Sequence, residues 1–133
     1  MSTRETPLTR WYWRQVGGTL IEEFPAVVRT NENAPRWIDG VIIRGGEHRI
    51  ARANEVDLTD RDIIVVQTKD SRLGMYLLGQ AFFSAHLMMK FKPRTIQSVA
   101  LCRENDAILG PIFESYPNMK VVICPEDVWG PEL

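Results

Sequence analysis

Cysteine, histidine, net charge and long apolar runs are all scarce in this chain, and each shortage removes a class of chemistry. The 133 residues include two histidines and two cysteines. His48 and His86 stand alone without paired ligands, so no Ser-His-Asp or Cys-His arrangement can be argued, and both read as packing or surface residues. Cys102 and Cys124 each end an apolar run. They form no metal-type cluster and read as buried free thiols of a reducing compartment. Sixteen basic against seventeen acidic residues nearly cancel. That balance excludes attachment to nucleic acid by bulk charge and leaves any DNA contact to a local patch. The longest apolar stretch, residues 75–89, contains Gln80, Ser84 and His86 and is too short to span a bilayer, so no membrane partner is expected. Residues 1–10 are polar and read as no signal peptide, which makes a cytoplasmic location the expectation. Gly17-Gly18 and Gly45-Gly46 lack the Lys-Ser/Thr of a phosphate loop, and no G-x-G-x-x-G follows a strand. No nucleotide cofactor is indicated.

What remains is an ordinary globular composition, 44% hydrophobic and 25% charged. The length suits one domain over residues 1–133, long enough to bury roughly two-thirds of its unfolded surface. Thr6-Pro7 reads as a helix start, and Gly17-Gly18 ends that helix over residues 8–16. Residues 19–29, 37–44 and 62–69 read as strands, and the charged stretch 47–61 as a loop or irregular hairpin extension. Ser71 is a candidate cap for a long helix over residues 72–91, ended by Lys92-Pro93. A strand at 95–102, a helix at 106–116 and a strand at 119–124 complete a βαβ unit, which sets its strands parallel. The order α-β-β-β-α-β-α-β predicts an α/β fold: one five-stranded mixed sheet with helices on both faces.

The chemistry-bearing residues fall on two of these strands. The run Trp37-Ile38-Asp39-Gly40-Val41-Ile42-Ile43 carries a lone Asp, and Asp62-Ile63-Ile64-Val65-Val66-Gln67-Thr68-Lys69 ends in polar residues. Side chains alternate along a strand, so Gln67 and Lys69 are expected on one face. An unpaired buried carboxylate or ammonium costs several kcal/mol or more, so neighbouring strands would let Asp39 and Lys69 relieve one another. A salt bridge is one role for that pair; a seat for a divalent cation and a scissile phosphate is the other.

Asp on the second strand and Gln-x-Lys on the third, in this element order, resemble the PD-(D/E)XK nuclease superfamily. The Gln-x-Lys triplet looks most like its Mrr-type branch. The resemblance spans roughly residues 8–125 and implies a restriction-endonuclease-like αβββαβ core and a metal-dependent phosphodiesterase acting on DNA. Position by position, Asp39 matches the family's Asp, Gln67 the acidic residue of the triplet and Lys69 the Lys. A Mg²⁺ or Mn²⁺ ion would then lie on Asp39, the Gln67 amide oxygen and the Thr68 backbone carbonyl. Lys69 would stand at the phosphate. Gln in place of an acid removes one ligand charge, and the helix at 8–16 lacks the Glu that many members carry. Glu22 and Glu23 are the candidate replacements, with Arg72 and Gln80 as possible supporting residues. The same fold with a decayed site, acting as an interaction module, is the alternative.

Two further features predict contacts. Arg10-Trp11-Tyr12-Trp13-Arg14 suits either stacking on unpaired bases or an aromatic core face. The helix at 72–91 is apolar on nearly every side, so a homodimer burying part of it is expected.

Overall fold

The computed structural model describes residues 2–128. Pro7 lies in the first turn of helix α1 (Thr6–Val16), and Gly17 ends it at φ 75°. Thr6 is not the cap. Glu5 holds that position without a side-chain capping bond, while the Thr6 hydroxyl donates back to the Ser2 carbonyl at 3.0 Å. Gly18, at φ 82°, turns the chain directly into strand β1 (Thr19–Val27). A Cβ at Gly18 would lie 2.3 Å from the Ile43 carbonyl oxygen, so only glycine fits where β1 meets the end of β2 (Arg36–Ile43).

The sheet has six strands rather than five. The additional one, β3 (Ile50–Ala51), lies within the stretch expected to be a loop and pairs parallel with β1. An isolated Ile-Ala pair between charged residues carries no period; Ala51 becomes strand only because β1 offers an edge and the core beside it takes the side chain. Strands β4 (Asp62–Thr68), β5 (Thr95–Cys102) and β6 (Met119–Ile123) complete the order β3-β1-β2-β4-β5-β6. β1-β2 and β2-β4 are antiparallel; β4-β5 and β5-β6 are parallel. The fold is therefore α/β, a mixed sheet with three helices.

Alternation along the central strands divides the core in two. Ile42, Ile64 and Val66 pack with Leu8, Tyr12 and Trp13 of α1. Val41, Ile43, Ile63 and Val65 point the other way, onto Met88 of α2 (Met75–Met88), where Leu77 and Ala81 also meet β5 and Phe113 of α3 (Leu109–Glu114). The helices thus cover both faces, as the element order implied.

Two helices are shorter than the sequence suggests. Residues 71–73 are held extended beside β5's exit, with Leu73 N–H donating to the Glu104 carbonyl and Arg103 N–H to the Ser71 carbonyl. Ser71 therefore caps nothing, Gly74 precedes α2, and a 3-10 turn (Met89–Phe91) follows it. Asp106 precedes α3 rather than entering it, because its Oδ1 accepts the amides of Ile108 and Leu109 at 2.9 Å each. Among the described residues, no helix is long and apolar enough to cross a membrane.

Gly18→Ala tests the β1–β2 junction. The left-handed backbone alone costs an alanine roughly 1–3 kcal/mol, and the carbonyl contact adds to it. The variant should lose at least that much stability in urea unfolding, while Gly17→Ala, whose Cβ meets open space, loses less.

Candidate functional site

Asp39 sits where β2 and β4 part. Their pairing runs from Ile43↔Ile63 to Gly40↔Val66 and stops there. Continued by two residues it would bring Thr68 opposite Ile38, but the Thr68 amide donates instead to Asp39 Oδ2 at 2.8 Å. A side-chain carboxylate thus takes the place of a ladder carbonyl and closes the fork.

The backbone prepares this position. Glu22 faces α1, bonding Arg10 through Nε and Nη2 at 2.9 Å each, yet Phe24 belongs to the opposite core with Ile38. The alternation breaks between them at Glu23, whose φ is 51°. Across the pair, Gly40 faces α1, since a Cβ there would meet Thr9 and Leu20 at 3.1 and 3.2 Å, whereas Ile38 faces α2. Asp39, between them, is where β2 changes sides. This matched kink in β1 and β2 aims the Asp39 carboxylate along the sheet toward β4.

Asp39 is half-buried, and burial raises its carboxyl from 3.8 to about 6. The Thr68 amide pulls in the opposite direction, while the negative charges of Glu5 and Glu23 add to the rise. The fork therefore carries a desolvated carboxylate, held high chiefly by burial, with two further acids within electrostatic reach.

The remaining sequence-predicted residues do not all converge on it. Gln67 is buried and turned to α2, donating from Nε2 to Ser84 Oγ at 2.7 Å. Thr68 faces α1, sharing a 2.7 Å hydrogen bond with Thr9. Lys69 lies just past the strand and is exposed. It forms no ion pair among the described residues, so of the two roles weighed for Asp39 and Lys69 the salt bridge is not made. The reason is local: the kink that sends Asp39 sideways separates it from the face that Gln67 follows.

Of the supporting candidates, Glu22 is committed to Arg10, and Arg72 to Glu104 at 2.7 Å. Glu23 is exposed and lies within electrostatic reach of Asp39. Gln80 is exposed on α2 and lines a cleft that also reaches Gln67. Tyr12 and Trp13 of the basic-aromatic run are buried, which assigns that run to the core. Sequence reasoning missed Ser84 and gave Glu5 no role. Ser84 is a polar break in an apolar helix, and Glu5 stands at the N-cap of α1; both were visible, but only the packing tells what they face.

Among the described residues, no three His, Cys, Asp or Glu side chains gather as a metal-binding group. A hydrated Mg²⁺ needs less, typically one or two carboxylates with waters filling the remaining positions. Asp39 supplies one such carboxylate; the Gln67 amide is turned to α2 and bonded there to Ser84 through Nε2, away from the fork. Comparisons with protein-family models, curated proteins and solved structures find no match to this chain.

The raised Asp39 carboxyl has a consequence for stability. Between 3.8 and about 6 Asp39 is more protonated in the folded chain than in the unfolded one, so its contribution to stability falls as pH rises through that window and is level above it. Asp39→Asn keeps an oxygen for the Thr68 amide and removes the charge. In chelator, it should exceed wild type by about 1 kcal/mol above pH 7, allowing for solvent screening, with the gain vanishing near pH 4. Urea midpoints across that range measure the difference.

Proposed function

We propose that the chain is a divalent-metal-dependent phosphodiesterase acting on DNA, built on a restriction-endonuclease-like core. The observation that carries this reading is the Asp39 carboxylate on the Thr68 amide, which brings the lone Asp of β2 against the Gln67-Thr68-Lys69 end of β4. The arrangement around it agrees with such a core: β1, β2 and β4 are successive antiparallel neighbours behind α1, and α2 crosses over to a parallel β5. β3 is then an insertion between the second and third core strands.

In this reading Asp39 holds Mg²⁺ or Mn²⁺, and Glu23, exposed on the adjoining strand, is a candidate for the missing second acid. When bound, such an ion acidifies water and offsets charge on a phosphate. Lys69, exposed at the strand end and unpaired among the described residues, places a cation where a phosphate gains negative charge. The Thr68 amide and the Thr9–Thr68 hydroxyl pair hold the Asp39 segment in place from the α1 side.

One observation favours a second reading. The Gln67 amide is spent on Ser84, which suits a decayed site in a protein that serves as an interaction module. That module would be a homodimer through α2, where Met75, Tyr76 and Phe83 are exposed.

Calorimetry and cleavage assays separate the two. In the enzyme, Mn²⁺ affinity rises as pH approaches about 6 and levels off above it, because the metal competes with the proton on Asp39. Asp39→Asn abolishes metal binding. Lys69→Ala lowers the cleavage rate by on the order of 10²-fold, by analogy with loss of one oxyanion donor. Gln67→Glu keeps activity within about tenfold in a working site and restores only metal binding in a decayed one. A wild type that binds no metal and cuts no plasmid, linear, single-stranded or branched DNA removes the enzyme reading.

A further inference from the structure

The end of β4 has a second side. Gln67, one residue from the Thr68 amide that holds Asp39, forms part of a cleft of about 790 Å³ between the start of β2 and α2. That volume lies within the range of small-molecule and cofactor sites. Its rim is aromatic: Trp37, Tyr76 and Phe83 are 56%, 80% and 65% exposed. Its polar groups include Gln67 and Ser84, both nearly inaccessible and bonded to each other.

Three features define what such a cleft would take. Flat, exposed rings bind flat partners, and base–aromatic stacking is worth roughly 1–3 kcal/mol per base. The Gln67 amide has one end spent on Ser84. Among the described residues its Oε1 has no hydrogen-bond partner and is not fully buried, and Gln67 lines the cleft. It is therefore available to the hydrogen-bonding edge of a planar ligand. Finally, no Asp or Glu among the described residues lines the cleft, although acids outnumber bases in the chain, and Arg36 stands on its wall. A polyanion meets no carboxylate there.

We propose that this cleft binds an unpaired nucleobase of a nucleic-acid strand, stacked on Trp37 and Phe83 and hydrogen-bonded to Gln67. A base inside a duplex cannot enter it, so the protein engages single-stranded or locally melted substrate. The proposal rests on the phosphodiesterase reading for its meaning: Trp37 and Gln67 line the cleft while Asp39 and Thr68 form the fork, which puts a bound base beside the site at Asp39.

The test is carried out in chelator, so it does not depend on cleavage or on metal. Fluorescence anisotropy compares labelled oligothymidylate, oligouridylate and a blunt DNA duplex against the full chain. The single strands should bind at least about tenfold more tightly than the duplex. Trp37→Ala and Phe83→Ala should each weaken single-strand binding by roughly fivefold to 100-fold, and Trp37→Phe, which keeps a ring, should restore most of it. Both side chains are exposed, and circular dichroism with urea midpoints checks that the variants fold. Arg36→Ala should lower the slope of log affinity against log salt by about one, whichever strand is used. Equal affinity for single strand and duplex, or indifference to the Trp37 and Phe83 substitutions, overturns the proposal. So does a wild-type dimer by light scattering that becomes monomeric in Phe83→Ala while no oligonucleotide binds; the rim would then be a protein interface. Single-strand binding without metal binding or cleavage would leave this proposal standing and remove the enzyme reading alone.

Discussion

The hydrogen bond from the Thr68 amide to Asp39 is the contact on which the arrangement at this end of the sheet depends. Two antiparallel strands that part must leave backbone donors and acceptors behind, and an unmet buried amide costs about 1–3 kcal/mol. Here a carboxylate takes the donor. The strands can then separate without orphaning that amide, and the opening holds a carboxylate instead of an unpaired N–H. A bond of this kind to a charged group is stronger than one between neutral partners, which offsets part of the cost of half-burying Asp39.

That compensation is incomplete, and the shortfall has a physical signature. Burial and the nearby acids Glu5 and Glu23 hold the Asp39 carboxyl well above its ordinary range in spite of the Thr68 amide. Several other acids have an ion-pair partner. Glu22 has Arg10, Asp62 has Arg94, and Asp70 has both Arg4 and Arg103. Acids whose carboxyls are perturbed in this way cluster at functional sites. The two sides of β4's end then divide the work: Thr68 faces the charge at the fork, and Gln67 faces an aromatic cleft with few charges.

α2 joins these sites to the core. Leu77, Ala81, Ala85 and Met88 bury one stripe against the sheet, and Ser84 places a hydroxyl on Gln67 from the same stripe. Met75, Tyr76 and Phe83 are left outside. A helix apolar on every side must have a second use for its outer face, because such a patch is costly in water. The cleft between that face and β2 supplies a candidate use, with polar groups set among the aromatics.

Much of this was legible from residue order. Pro7 and Gly17 bracket α1, and the apolar runs mark β2, β4, β5 and β6 to within a residue or two, because such runs must be buried whatever their neighbours do. The two strands that carry Asp39 and Gln67-Thr68-Lys69 were identifiable for the same reason. Tertiary structure alone decided how those residues meet. Period-two alternation puts Gln67 and Lys69 on one face, but it cannot reveal the matched break at Glu23 and Asp39, which exists only once β1 and β2 are paired. Likewise β3 is a strand because β1 has a free edge, and Ser84 is a partner for Gln67 because α2 crosses β4 at that height. Burial is dictated by side-chain chemistry, residue by residue; direction is dictated by pairing, which no single segment contains.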